Sequence, residues 1–225
     1  MNKVNLNTIS LNLSSLNAIG EVRKGDSGGN PTPVEKPIGV FIYTTDGEFI
    51  TSDAWDSANN DKAVGVFVND GEHDFVIAKK DVIYGKFGGF GKLIESIPTY
   101  INYSEAMLDF NGADNTPKII AELEGYNDTY VTGAPAAERC ANFVFPNEKN
   151  GYLPSLGELG LTFANIGAVD NALSKCGGIK MRDSNFISST QYDAENIWRY
   201  VFYYGGPTGS YGKNSNASVR AFCKI

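Results

Sequence analysis

The single histidine of the chain, His73, sits among Asp70, Glu72 and Asp74. Carboxylates beside an imidazole are the groups from which a metal site or an acid–base pair is built. The same stretch follows an Asn69-Asp70-Gly71 turn signal, so a solvated hairpin tip accounts for the charges without any chemistry. Gly85-Lys-Phe-Gly-Gly-Phe-Gly-Lys92 has the composition of a phosphate-cradling loop. Its Gly85-to-Gly91 spacing is one residue too long, however, and Leu93 stands where a Ser or Thr is needed, which leaves a glycine-rich turn. Ser155 lacks the preceding glycine of a nucleophile elbow, because Leu153 holds that position, and Glu158 three residues on marks it as a helix cap. Cys140, Cys176 and Cys223 are too few and too scattered for a disulfide scaffold or a zinc knuckle, and one histidine cannot supply a His-rich zinc site. The chain is therefore expected to be no enzyme, with no catalytic residue, metal or cofactor.

Residues suited to contact rather than catalysis gather between 192 and 216, where Tyr, Trp and Asn alternate with Gly205, Gly206, Gly209 and Gly212. Binding surfaces use this mixture because Tyr and Trp offer large area with few rotors to freeze, while Asn, Ser and Gly adapt their hydrogen bonding. The expected ligand-binding residues are Tyr192, Asn196, Tyr203, Tyr204, Tyr211 and Asn214. Trp198 joins them as a candidate, although its alternation with Tyr200 and Phe202 fits the inward face of a strand equally well.

Several elements must position these groups. Runs at Ile38–Tyr43, Ala63–Val68 and Phe75–Ala78, separated by Asp46-Gly47 and Asn69-Asp70-Gly71, read as strands in hairpins. Thr116 and Pro117 open a predicted helix over 117–124, a second covers 134–143, and a third starts at the Ser155–Glu158 capping box. Val169, Leu173 and Cys176 lie on one helical face that stops at Gly177-Gly178. After Met181 the chain is β-like again. Helices enclosed by strands without regular βαβ alternation indicate an α+β fold.

The first 36 residues differ. Val4, Leu6, Ile9, Leu11, Leu13 and Leu16 are set among Asn, Ser and Thr, with no clear period, ahead of a Gly/Pro-rich linker. An apolar arm too short to hold a core of its own is expected to be extended and to pack on another chain, although it could instead complete the main domain. With 19 basic against 26 acidic residues the net charge is -7, the wrong sign for a nucleic-acid partner. No stretch is long and apolar enough to span a membrane, and the polar N-terminus does not look like an export signal.

Gly151-Tyr-Leu-Pro-Ser-Leu-Gly-Glu158, Ser188-Ser-Thr-Gln-Tyr192, Trp198 and Val219-Arg-Ala-Phe222 occur in an order that resembles the C-type-lectin-like domains of bacteriophage and Bacteroidetes proteins, including the variable proteins of diversity-generating retroelements. The resemblance covers residues 105–225. It implies a buried helix opened at Ser155, a central strand with Ser188 to Thr190, a last strand from Val219 to Cys223, and a ligand-facing segment between Tyr192 and Ser218. It also implies that Cys140 and Cys223 approach each other across the core, bonded or as thiols. The calcium-binding triplets of sugar-binding lectins are missing, so calcium-mediated recognition is not expected. The division that follows is 1–36 as an anchoring arm and linker, 37–104 as a β-rich segment continuous with the main domain, and 105–225 as the lectin-like ligand-binding domain. The function implied first is that of a phage virion fibre or adaptor, made in the bacterial cytoplasm. The arm would dock to virion proteins, the lectin-like domain would bind a host-surface glycan or protein receptor, and the chain would form a homo-oligomer, a trimer by analogy. The second reading is a bacterial surface or secreted adhesin-like protein. The same scaffold also underlies formylglycine-generating enzymes, which need a copper-binding cysteine pair that the scattered cysteines here do not offer.

Overall fold

A computed structural model describes residues 35–225; the arm expected over 1–36 lies, but for its last two residues, outside the described residues. From Lys36 onward the chain is one compact unit. Its first sheet is built from β1 (Gly39–Thr44), β2 (Phe49–Ile50), β3 (Ala63–Asn69) and β4 (Asp74–Ile77), joined from the far end of the sequence by β10 (Phe222–Cys223). The order is β10-β4-β3-β1-β2, antiparallel throughout. Side chains on successive strand residues point to opposite faces, and both faces of this sheet are covered. Val66, Val68, Phe75 and Ile77 enter one apolar cluster, while Phe67 and Val76 enter a second. This explains why the β3 sequence AVGVFVN reads as a continuous apolar run.

The second sheet holds β5 (Ile83–Gly85), β6 (Asn185–Gln191), β7 (Asn196–Val201), β8 (Gly206–Gly212) and β9 (Ala217–Val219) in the order β5-β9-β6-β7-β8. Its pairings are antiparallel except for β6 with β9. Five helices fall between the two groups of strands: α1 (Tyr103–Ala106), α2 (Gly112–Leu123), α3 (Pro135–Ala141), α4 (Leu156–Ala164) and α5 (Ile166–Lys175). Leu156, Leu159, Val169 and Leu173 of α4 and α5 fill the first cluster; Ile119, Leu123, Ala136 and Cys140 of α2 and α3 fill the second. The fold class is α+β, as the sequence indicates.

Two local readings change. The helix expected from Pro117 begins at Gly112, and Pro117 lies inside it. Thr116 is not a cap: its buried hydroxyl donates to the Gly112 carbonyl at 2.7 Å and accepts the Leu153 N–H at 2.9 Å, tying α2 to the approach to α4. The single last strand expected over 219–223 is two strands in different sheets, because the chain leaves the second sheet after Val219 and enters the first at Phe222. By contrast, α4 starts where the capping box places it. Glu158 accepts from the Ser155 N–H at 2.8 Å and from the Ser155 hydroxyl at 3.0 Å, and the Tyr152 hydroxyl donates to its other oxygen at 2.7 Å. Burial holds the Glu158 carboxyl above its ordinary range, against those hydrogen bonds and the nearby Lys224 ammonium. Cys140 and Cys223 share the second apolar cluster as thiols, and burial raises both, Cys223 to about 12.

Candidate binding face

The β7–β8 hairpin is closed by Val201 opposite Gly206 and turned by Phe202, Tyr203, Tyr204 and Gly205. Phe202 points into the core, with its ring centroid 5.1 Å from that of Phe186 and 5.5 Å from that of Phe163. Gly205 adopts φ +74°, and a Cβ there would come within 3.2 Å of the Phe163 ring, so the turn requires glycine. The Tyr204 and Gly205 N–H groups both donate to the Val201 carbonyl, at 3.3 and 3.0 Å. With Phe202 anchored below, Tyr203 and Tyr204 are forced outward, 49% and 84% exposed, their ring centroids 4.5 Å apart.

The other expected contact residues are not gathered with them. Trp198 is a core residue at 5% exposure; its indole N–H donates to the Tyr100 carbonyl at 2.7 Å, and Tyr192 packs edge-on against it at 5.4 Å. Alternation decided this, since Trp198, Tyr200 and Phe202 share the face that meets α4. Asn196 is occupied closing a turn, its amide donating to Asp193 at 3.0 and 3.1 Å. Asn214 lies in the turn that follows β8, joined to the Asn196 end through the Lys213 N–H and the Glu195 carbonyl. These residues sit at the opposite end of the hairpin from Tyr203 and Tyr204, roughly 17 Å away along a strand of this length. Tyr211 is between, with its hydroxyl donated to the Asn216 carbonyl.

One residue absent from the sequence reading stands beside Tyr211. The Arg199 guanidinium lies over its ring, 3.9 Å from the centroid. Tyr84, 71% exposed on β5 at the other edge of this sheet from β8, bears on the Tyr211 phenol only through a weak charge coupling. Burial raises that phenol above its ordinary value; Arg199 opposes the rise, and Tyr84 and Tyr203 add to it.

Behind the face, Lys213 is fully buried. Its ammonium donates to the Lys92 carbonyl at 2.7 Å and the Gln191 side-chain carbonyl at 3.0 Å. The glycine-rich stretch from Gly85 to Lys92 therefore wraps a lysine: Gly88 donates its N–H to the Lys213 carbonyl, and a Cβ on Gly88 would strike the Gly133 carbonyl. Burial lowers the Lys213 pKa to about 8, with Asp193 and Glu122 opposing. Between pH 8 and 10.5 the unfolded chain binds a proton there that the folded chain does not, so this lysine makes stability rise with pH across that window. A full shift of this size corresponds to about 3 kcal/mol. Urea unfolding of wild type and Lys213→Met at pH 7 and pH 10 should show the rise only in the wild type; equal pH dependence in both would refute it.

The two aspartates beside His73 are engaged at the β3–β4 turn. Asp70 accepts the Glu72 and His73 N–H groups at 2.9 and 2.7 Å, Asp74 pairs with Lys36 at 3.0 Å, and the imidazole stacks on Phe110 at 3.6 Å. Among the described residues no group of His, Cys, Asp and Glu is placed to hold a metal ion. No helix among them is long and apolar enough to cross a membrane. A cleft of about 590 Å³ opens between α2, α3 and the 125–133 loop, lined by Pro117, Ile120, Ala121, Glu124, Thr132 and Glu138.

No protein family model matches the chain, and no curated protein matches it in sequence. Among solved structures it resembles a fimbrial protein from Bacteroides ovatus ATCC 8483, with a TM-score of 0.61 and 16% identity. The match covers 84% of this chain and 49% of that one, so the chain spans about half the length of its neighbour. At this identity the likeness is one of fold.

Proposed function

We propose that the chain is a non-enzymatic attachment protein of the bacterial cell surface, which presents the β7–β8 hairpin to a receptor. The observation that carries this reading is the pair Tyr203 and Tyr204, held outward on a turn whose neighbour Phe202 is fixed in the core. Exposed adjacent aromatics on a rigid support lose little freedom on binding, which is what a recognition surface needs. The fimbrial neighbour supports the cell surface over the virion as the place of action, and so favours the second of the two readings from the sequence. The lectin-like arrangement remains part of the proposal, on two supports: β6, with Ser188 to Thr190 buried, is the middle strand of its sheet, and the 192–218 segment hangs between β6 and β9. The arm at 1–36 would join the chain to a larger assembly of like or different subunits.

The double variant Tyr203→Ala/Tyr204→Ala tests the face. Exposed positions usually change stability by no more than about 0.5 kcal/mol, so its melting temperature should stay near that of the wild type. Binding to an array of immobilised saccharides and surface proteins should weaken by on the order of 2 kcal/mol if these are hot-spot residues. Early unfolding, or unchanged binding, would remove the hairpin tip from the proposal.

A further inference from the structure

The geometry points to Arg199 as the anchor for a carboxylate-bearing saccharide, an inference that rests on the β7–β8 hairpin being the binding face and gives that face a ligand class.

The described part of this acidic chain holds four arginines, Arg139, Arg182, Arg199 and Arg220. Arg182 and Arg220 each meet a carboxylate at 2.5 Å, on Asp170 and Asp81. Arg199 is half-buried in the middle of β7, yet among the described residues no carboxylate lies within 4 Å of it. Its Nε is buried without an acceptor, Nη1 makes a long 3.4 Å contact to the Asn185 amide oxygen, and the Tyr211 phenol is the other polar group that the guanidinium meets. A guanidinium carries five N–H donors, and removing them from water without acceptors is costly. What holds Arg199 in place is Tyr211, whose ring lies 3.9 Å from the guanidinium carbon and whose hydroxyl is itself fixed to the Asn216 carbonyl. Stacking fixes the plane of the fork, and Nη2, neither buried nor hydrogen-bonded, is the donor left for an acceptor oxygen from outside. A carboxylate is such an acceptor.

The surroundings select the rest of the ligand. Tyr203 and Tyr204 are exposed on the turn that ends the same strand, so aromatic faces and phenolic hydroxyls stand on the hairpin that carries the cation. A pyranose ring offers a C–H face for the first and hydroxyls for the second. A peptide added as a strand on β8 is disfavoured, because Pro207 and Gly206, Gly209 and Gly212 make that edge a poor template.

The test is calorimetric titration of the whole chain with four probes: trigalacturonic acid, its methyl ester, 3′-sialyllactose and lactose. Binding of at least one acidic probe, with its neutral counterpart weaker by 10-fold or more, is expected, and it should weaken further as salt is raised. Arg199→Met should lose the preference and Arg199→Lys, which keeps the charge but not the fork, should recover only part of it. The probe comparison needs no variant, so a misfolded Arg199→Met would not spoil it. Equal binding of acidic and neutral probes, lost in Tyr203→Ala/Tyr204→Ala, would overturn the carboxylate and leave the binding face standing. Failure of the wild type to bind any of the four probes at millimolar concentration would overturn the inference, while the adequacy of the face itself is read separately from the array.

Discussion

Arg220→Ala is expected to lower the free energy of unfolding by about 3 kcal/mol, from loss of a large, fully buried side chain and of the donors on which several carbonyls depend. Arg220 is fully buried at the point where the chain passes from β9 to β10. Its Nε donates to Asp81 at 2.5 Å, and its Nη1 faces three backbone carbonyls, those of Ala78 at 3.1 Å, Lys79 at 3.3 Å and Ile179 at 3.1 Å. Alanine would leave those acceptors with no donor, in a segment that also gives the Ala78 and Val82 N–H groups to Ala221 and Val219. Lysine would keep the charge but could not span carbonyls from two separate stretches of chain, so Arg220→Lys should restore only part of the stability. Denaturant unfolding followed by circular dichroism reads this directly. A loss below about 1 kcal/mol for Arg220→Ala would show that water or side-chain rearrangement replaces the guanidinium.

Phe222→Ala should cost a similar amount, about 3–5 kcal/mol, from loss of a large buried side chain and the cavity left behind. Phe222 is stacked on Phe75 with ring centroids 4.8 Å apart and meets Tyr152 edge-on at 6.4 Å. Its backbone pairs with Ile77 on one side and exchanges hydrogen bonds with Tyr152 at 2.7 and 3.0 Å on the other. The ring therefore secures three separate pieces of sequence. Set against Tyr203→Ala/Tyr204→Ala in the same melting experiment, Phe222→Ala should unfold far earlier. Equal melting temperatures would mean that the division between core aromatics and hairpin-tip aromatics is wrong.

Features dictated by near neighbours in sequence were readable. The Ser155–Glu158 box marks the start of α4, and Val169 and Leu173 mark the buried face of α5, whose cap at Cys176 is followed by Gly177 with φ +75°. Asn69-Asp70-Gly71 falls in the turn between the two strands it was expected to join, whereas Asp46-Gly47 turns β1 into β2, a two-residue strand that the sequence reading did not expect. Thr116 misled because a hydroxyl suited to capping serves a long-range contact to Leu153 instead, which no local pattern encodes. The binding face was half legible for the same reason. Composition marked the aromatic segment, but composition cannot tell Tyr204 at the tip from Trp198 three positions inside the sheet; strand alternation and the Phe202 anchor make that distinction. Arg199 escaped notice because its importance depends on the pairing that sets β7 beside β8 and so brings it over the Tyr211 ring.

The passage of the chain from one sheet to the other at Arg220 also bears on how the protein comes into being on the ribosome. The strand that closes the first sheet against β4 is made about 145 residues after β4, and β9, which gives β5 its partner, is made just before it. Neither sheet can reach its final pairing until residues 217–223 have left the exit tunnel. Strands 1 to 4 must wait with the β4 edge open, and open edges invite pairing with other chains. Residues 105–225 could not mature alone either, since β9 and β10 would emerge without β5 and β4 to receive them. Such a topology favours folding after synthesis and at modest speed, because its rewarding contacts are long-range ones. Anything that shields the β4 edge during that interval would govern the yield of folded protein more than the stability of the finished fold does.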